Sequence, residues 1–452
     1  MSIKRISVWV VLSLLALVLL VLGASFSLLA TQSGSRWLLD QVPGLTVEDF
    51  SGAVLTDWQA QQLVWQQGEM SVQLTDVQMR FRPMCLLRSA VCLDQLSAAR
   101  IEVNLPSSEP DPEPQQGLQL PDLNLPVSIE VERLDVGEFV LNGESLLTDT
   151  DLRVRWLADG IHLSRLGIHY QEYAVQVQGK IVPSQGWPLQ LQLDAQVPMP
   201  DAPTLAVQAQ LSGSVQSLDI DVATTGYVAA TLKGQVQALD AQLPAQLSLQ
   251  VAHFKATPDL PDTLTLADLV LDVQGDLQRG YQVTGRGALP NTPEQIKLKL
   301  AALVKATGAQ LNTLSLTASD EAFFAVQGAV DWQQELTADA QLQWRQFPWH
   351  SLLAQEDIPV QLRRLDGQVS YSAGDYKGKL DGDLNGPAGA FTLATAFMGD
   401  LQQVQLQELL VEAGQGRLLG TATVGFAEGV DWLADIEVSK LNPAYWVAEL
   451  PG

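Results

Sequence analysis

The sequence has few of the residues that perform chemistry. It contains four histidines in 452 residues and is only 6% aromatic, which leaves little material for metal coordination, general-base catalysis or sugar stacking. A G-x-S-x-G elbow, a P-loop and an H-E-x-x-H motif are all missing. His162 and His169 are seven residues apart, a spacing that predicts opposite faces of a strand and no shared metal. We therefore expect no enzyme, no metal and no cofactor.

Basic residues are also scarce. There are 26 Lys and Arg against 51 Asp and Glu, for a net charge of −25 and a pI near 4.4. Nucleic-acid binding needs a basic footprint, so this balance argues against a nucleic-acid partner. The charge is uneven: residues 1–100 hold seven basic and seven acidic residues, and the other 352 hold 19 and 44.

No charged residue occurs between Arg5 and Arg36. Within this gap, residues 6–30 are almost wholly apolar and would span roughly 37 Å as a helix, enough to cross a bilayer core of about 30 Å. Lys4 and Arg5 predict that residues 1–5 are a cytoplasmic tip and that the rest of the chain is exported. The alternative is a cleaved signal peptide, with small residues at positions 23–25 near its cleavage site.

The two cysteines, Cys85 and Cys92, lie seven residues apart. In an oxidising compartment such a pair can form a disulfide across a tight turn, and its spacing matches neither a redox nor a zinc motif. The alternative is a pair of small, buried, reduced side chains.

Three regions follow the predicted anchor. Residues 31–105 are predicted to be a β-region with a short entry helix, because Trp37, Leu38 and Val42 have helical spacing before a Pro-Gly stop. Residues 106–120 are a Pro-rich linker or long loop. Residues 121–452 form a repetitive β-region in which a strand, a short turn and a second strand recur around Gly179, Gly328 and Gly420.

Apolar residues alternate with Gln, Asp, Thr and Ser along most of the exported region, a period that gives each strand one apolar face. An apolar face has to be buried, either in a filled core or along the inside of a curled sheet. The second solution predicts an all-β fold, a long curled antiparallel and repetitive sheet with a hydrophobic groove that suits acyl chains. The groove residues predicted from the alternation are Val72, Leu74, Leu189, Leu191, Leu193, Leu205, Val207, Leu247, Leu249, Val251, Leu269, Leu271, Val273, Leu314 and Leu316.

Several segments resemble one known family. The stretches at residues 44–52, 63–72 and 77–87, together with the Pro-rich break and the closing Leu441-Asn-Pro-Ala-Tyr-Trp446, are similar to the N-terminal portion of the TamB family of AsmA-like proteins. The resemblance implies a single-pass protein of the bacterial inner membrane, with its N-terminus cytoplasmic and its bulk in the periplasm. It further implies roles in phospholipid transport and outer-membrane protein assembly, and an outer-membrane barrel partner. TamB-like proteins are longer, so we expect that partner to bind a C-terminal region that this chain lacks.

Two functions therefore remain open. The first is a lipid conduit that holds phospholipid acyl chains on the apolar face. The second is a scaffold for the assembly of outer-membrane barrel proteins or autotransporters, whose sheet edges would pair with client strands. Arg80, Arg82, Arg88 and Arg100 lie near the predicted anchor and are candidate contacts for anionic head groups; the alternative is that they are ordinary solvent-facing charges.

Overall fold

The computed structural model describes residues 28–445, except 69, 106–119, 124, 185, 201, 258, 291, 293–294, 353–359 and 427–429. Residues 6–27 of the predicted anchor and most of the Pro-rich segment therefore lie outside the described residues. In the part that is described, no helix is long and apolar enough to cross a membrane. The chain divides into two compact units, residues 1–227 and 228–452.

Twelve strands are described in the first unit, and the short helix Gln32–Leu39 precedes them. Thr31 caps the helix, because its hydroxyl accepts a hydrogen bond from the backbone N–H of Gly34 at 3.3 Å. The helix contains Trp37 and Leu38 and ends at Leu39, before Val42. The described elements of the first unit are α1 (Gln32–Leu39), β1 (Leu45–Glu48), β2 (Ser51–Gly52), β3 (Asp57–Gln67), β4 (Met70–Phe81), a 3-10 turn (Pro83–Arg88), β5 (Ala90–Asn104), β6 (Ser128–Leu141), β7 (Glu144–Leu157), β8 (Gly160–Tyr170), β9 (Tyr173–Ile181), β10 (Pro188–Met199), β11 (Ala202–Ser214) and β12 (Leu218–Thr225).

Fourteen strands are described in the second unit. They are β13 (Ala229–Val236), β14 (Ala245–Phe254), β15 (Leu266–Asp276), β16 (Gly280–Leu289), β17 (Ile296–Lys305), β18 (Gly308–Thr317), β19 (Phe323–Asp331), β20 (Thr337–Arg345), β21 (Gln361–Ser372), β22 (Asp375–Gly386), β23 (Gly389–Gly399), β24 (Gln403–Ala413), β25 (Gly416–Gly425) and β26 (Asp431–Ser439). Single 3-10 turns lie at Asp262–Leu264, Trp349–Ser351 and Pro443–Tyr445. At the last of these, the side chain of Asn442 accepts a hydrogen bond from the N–H of Ala444 at 2.9 Å.

Each unit is an open meander in which strands pair with their neighbours in sequence, except that β1 and β2 both pair with β3. Tight turns make this arrangement possible: Asn142 and Gly143, between β6 and β7, both have positive φ, as a two-residue hairpin turn requires. Among the described pairings of each unit, none joins the first strand to the last, so the sheet is closed in neither unit. The prediction of a mostly β, largely antiparallel fold is confirmed.

One pairing departs from the meander. Strands β5 and β6 are parallel, with Leu96 opposite Leu134. Parallel neighbours need a crossover connection of about a dozen residues or more, and the Pro-rich segment provides it. This segment thus connects two adjacent strands of one sheet.

Candidate functional site: the apolar faces of the two sheets

The strand register collects apolar side chains into continuous rows in the first unit. Residues directly opposite each other in neighbouring strands lie on the same face of a sheet. One row crosses ten strands, from β3 to β12, without a charged residue. It consists of Trp58, Met79, Leu96, Leu134, Leu152, Leu166, Val177, Leu193, Ala209 and Val222.

The second unit has an equivalent row across eleven strands, from β13 to β23. It consists of Leu232, Leu249, Leu271, Gly285, Leu300, Leu314, Val326, Leu342, Gly367, Leu380 and Thr395. Thr395 is the polar member of the row, and its hydroxyl donates a hydrogen bond to the carbonyl of Gln407 at 3.1 Å. The row therefore presents no unsatisfied hydroxyl to an apolar ligand.

Thirteen of the fifteen residues predicted to line a groove lie on these two faces, five in the first unit and eight in the second. Val72 and Leu74 of β4 lie at odd spacings from Met79 of the row and instead oppose Trp65 and Leu63 on β3. Fourteen of the fifteen are half-buried and Val251 is buried, with 6% of its surface exposed. The Gln, Asp and Ser residues that alternate with them are mostly exposed. Each unit thus has a wet face and a partly covered apolar face, and most of the predicted residues of each unit lie together on the apolar face.

Glycines interrupt the apolar rows in the middle of strands, a feature that the alternation did not reveal. A Cβ atom on Gly367 would lie 2.8 Å from Leu342 and 2.9 Å from Leu380, so its absence lets these two leucines approach each other. Gly328, one of the recurring glycines, would place a Cβ 2.3 Å from the carbonyl oxygen of Asp339 on the next strand. The recurrence of glycine in the sequence was the available signal, but it was interpreted only as part of a strand-turn-strand unit.

One end of the second unit's apolar face is covered by the chain's own connections. Leu289, Ile296, Phe347 and Leu352 form a buried cluster, and Trp344 lies edge-on to Phe347 with ring centroids 5.2 Å apart. The 3-10 turns at 262–264 and 349–351 contribute to this cap, and the hydroxyl of Thr263 donates a hydrogen bond to the carbonyl of Leu352. This end of the apolar face is a filled core, which is the alternative to a groove that the alternation left open.

A second cluster covers the same end further along the sheet. Phe391, Val411 and Ala413 are buried there, and Leu441 and Tyr445 of the C-terminal turn pack against them. The ring of Tyr445 lies edge-on to Phe391, with centroids 6.4 Å apart. In the second unit, the apolar face therefore has one covered rim, and its middle rows stay half-buried.

A concavity of about 840 Å³ in the second unit lies on the polar face instead. On the four strands β20 to β23 its lining includes residues i and i+2 around one row residue, such as Gln341 and Gln343 around Leu342, and Asp366 and Gln368 around Gly367. Two side chains of three on each strand then point to the polar face. This concavity is distinct from the apolar rows, and we assign it no role in holding acyl chains.

The four arginines are not equivalent. Arg80 forms an ion pair with Asp57 at 3.4 Å, Arg82 pairs with Asp94, and Arg100 pairs with Glu138 at 2.7 Å and Glu102 at 3.4 Å. These three are engaged by carboxylates, which favours ordinary solvent-facing charges there. The guanidinium of Arg88 contacts Cys85 Sγ at 3.7 Å and, among the described residues, makes no ion pair.

Cys85 and Cys92 form a disulfide, with Cα atoms 5.9 Å apart and both residues buried. The bond closes the 3-10 turn at 83–88 between β4 and β5. Ser89 ends this turn with a φ of 53° in the left-handed region.

The histidines lie on one face of β8, so the prediction of opposite faces is wrong. A bulge between Leu163 and Leu166 adds a residue and reverses the alternation beyond it. His162 contacts Asp159 at 2.9 Å, whereas a ring nitrogen of His169 contacts the carbonyl of Asp149 at 3.1 Å. Hydrogen bonds from Lys180 and then from His162 lower the pKa of Asp159 to about 2. No group of three or more metal-ligating side chains occurs in the described part of the chain.

Comparison with known proteins identifies the family. The family model described as TamB, N-terminal domain, matches residues 19–118, 113–354 and 334–452, nearly the whole chain. The chain belongs to the TamB family. The resemblance predicted from residues 44–87 and the closing segment is therefore confirmed. No solved structure matches the chain.

Membership in the TamB family has two consequences. It assigns the chain to the cell envelope. It also makes the chain part of a structural and transport family without a catalytic role. The apolar faces are then the feature of this TamB-family chain that a function has to explain.

Proposed function

We propose that this protein is an inner-membrane-anchored periplasmic bridge whose apolar faces hold phospholipid acyl chains on their way toward the outer membrane. The observation that carries the proposal is the continuity of the rows. An apolar residue or a glycine stands at every strand from β3 to β12 in one unit, and the same holds from β13 to β22 in the other. Successive strands are about 4.8 Å apart, so an acyl chain lying across them stays on apolar surface at each step.

The energetics favour such a ligand. Each methylene removed from water contributes about 0.8 kcal/mol, so ten methylenes on a row would contribute about 8 kcal/mol before ordering costs. Most of the row side chains are half-buried without a ligand, so a bound chain would complete their burial. A core that was already filled would leave nothing for a ligand to cover.

The covered rim of the second unit suggests how the head group is placed. The clusters around Phe347 and Phe391 close one end of the strands. The opposite ends, where Tyr281 faces Val304 and Val404 faces Val424, have no such cap among the described residues. In this proposal the acyl chains lie under the middle rows, and the head groups leave at the uncapped rim toward water.

The proposal is tested by quantifying phospholipid that co-purifies with the full chain. The test variant carries Leu191→Asp, Leu249→Asp and Leu271→Asp, three charges on the apolar faces. The matched control carries Gln190→Asp and Gln250→Asp, on the polar faces of the same β10 and β14 strands. We expect mass spectrometry to detect much less phospholipid with the first variant and an unchanged amount with the control. Equal loss in both, or no phospholipid on the folded wild-type chain, would contradict the proposal.

A scaffold for outer-membrane protein assembly is the second candidate, favoured by β26. All nine residues of this strand are exposed, including Trp432 at 75% and Leu433 at 76%. An exposed hydrophobic edge strand is a template for strand addition. Lysine at these two positions should reduce crosslinking to client strands and leave phospholipid content unchanged; the reverse result would favour the conduit.

A further inference from the structure

The disulfide-closed turn between β4 and β5 projects large apolar side chains into solvent. Met84 is 68% exposed, Leu86 is 45% exposed and Leu87 is 81% exposed. They surround Cys85, which is fully buried and bonded to Cys92. The disulfide therefore holds three apolar side chains outward on a short closed loop, which costs solubility and gains no packing.

A chain of backbone hydrogen bonds places this loop beside the N-terminal segment. The N–H of Leu55 bonds the carbonyl of Leu29 at 3.1 Å, and the N–H of Phe81 bonds the carbonyl of Thr56 at 3.0 Å. The N–H of Arg82, which begins the loop, bonds the carbonyl of Cys92 at 3.0 Å. The loop therefore lies at the end of the sheet where the described chain starts, directly after the apolar segment at residues 6–27.

The one charged side chain of the loop at residues 83–88, Arg88, suits an anionic surface. Arg88 is the last residue of the 3-10 turn and, within the described residues, has no carboxylate partner. Trp37 of α1 is 55% exposed and belongs to the helix that follows the same apolar segment. Exposed apolar side chains beside an arginine are typical of segments that lie in the bilayer interface, and a tryptophan close to an anchor is typical of the same depth.

We propose that the loop at residues 83–88 is a membrane-docking element that inserts Met84, Leu86 and Leu87 into the head-group region of an anionic phospholipid bilayer. With the anchor it would make a second point of attachment. Two attachments would fix the tilt of the first sheet on the membrane, so that its strands start at the bilayer surface. The inference rests on the proposed anchor for the side from which the membrane approaches.

Depth-dependent quenching tests the docking. A fluorescent amino acid replaces Leu87 in the full chain, which is reconstituted in vesicles of phosphatidylethanolamine and phosphatidylglycerol with brominated acyl chains. The matched control carries the same fluorophore at Leu105, which is 46% exposed and follows the other end of β5. Because β5 has 15 residues, this control position lies about 50 Å from the loop. Insertion by about 5–10 Å brings residue 87 close to the bromine atoms.

We expect several-fold stronger quenching at residue 87 than at residue 105. Arg88→Glu should weaken the quenching at residue 87 in these vesicles and have little effect in phosphatidylcholine vesicles. A chain that floats with the vesicles but is quenched equally at both positions would overturn the docking alone, and would leave a protein partner as the occupant. A chain that does not float at all would contradict both the anchor and the docking loop.

Discussion

Leu249→Asp offers the sharpest test of acyl-chain binding at a single point. Leu249 lies in the middle of β14, directly opposite Leu232 on β13 and Leu271 on β15, and it is half-buried. An acyl chain crossing these strands would cover it. An ionised carboxylate at this position would lose its hydration when the chain arrives.

The cost follows from the pKa of the introduced group. An aspartate in water has a pKa near 3.9, so keeping it neutral at pH 7 costs about 4 kcal/mol, and each pH unit is worth about 1.36 kcal/mol. Local acyl-chain occupancy should therefore fall about 1,000-fold at pH 7 and by about tenfold at pH 5. The direction is fixed, because only the ionised form opposes the ligand.

The assay is photocrosslinking from the neighbouring Leu232 to phospholipid, quantified by mass spectrometry at both pH values. Gln250→Asp is the control, because residue 250 is exposed on the opposite face of the same strand. Circular dichroism and a denaturant titration check that each variant stays folded. Crosslinking that survives Leu249→Asp at pH 7, or a loss that does not recover at pH 5, would refute the reasoning.

Two further predictions concern the stability of the fold. Replacing Cys85 and Cys92 by alanine opens a short loop and should lower the free energy of unfolding by about 2.5 kcal/mol, measured by denaturant titration. As a control, adding reductant to the wild type should lower its free energy of unfolding by the same amount. Asp366 is partly buried, which opposes its ionisation, but hydrogen bonds from Arg345 and Arg364 outweigh this and lower its pKa. The contribution of ionised Asp366 to the free energy of unfolding is present above about pH 4 and is lost as the pH falls through the folded pKa. The substitution Asp366→Asn should therefore lower the free energy of unfolding by about 1 kcal/mol at pH 7 and by less near pH 3. A destabilisation that does not change with pH would contradict this assignment.

The alternation of apolar and polar residues predicted the strands and the membership of each face. Leu249 and Leu271 were both assigned to the apolar face from period alone, and the register makes them direct neighbours. Periodicity carries no information about strand direction, so it could not predict the parallel pairing of β5 and β6. It also fails across bulges, because one extra residue moves the following side chains to the other face, as it does for His169.

The parts of the candidate site that the sequence did not reveal depend on contacts between distant segments. The cap over one rim joins Thr263 to Leu352, which are 89 residues apart. The exposed character of Leu87 depends on the disulfide turn that projects it, and its apolar side chain alone predicts burial. Neither feature has a local pattern that a linear reading could detect.

The central claim is that one face of each sheet contacts phospholipid and the other contacts water, and adjacent residues of β10 test it most directly. Leu191 lies between Gly179 and Leu211 on the apolar face, and Gln190 lies between Lys180 and Ser212 on the polar face. A photoreactive amino acid is placed at one of these positions at a time in the full chain, in cells, and the crosslinked products are identified by mass spectrometry. We predict phospholipid adducts from residue 191 and none from residue 190. Adducts from both positions equally, or from neither, would contradict the account.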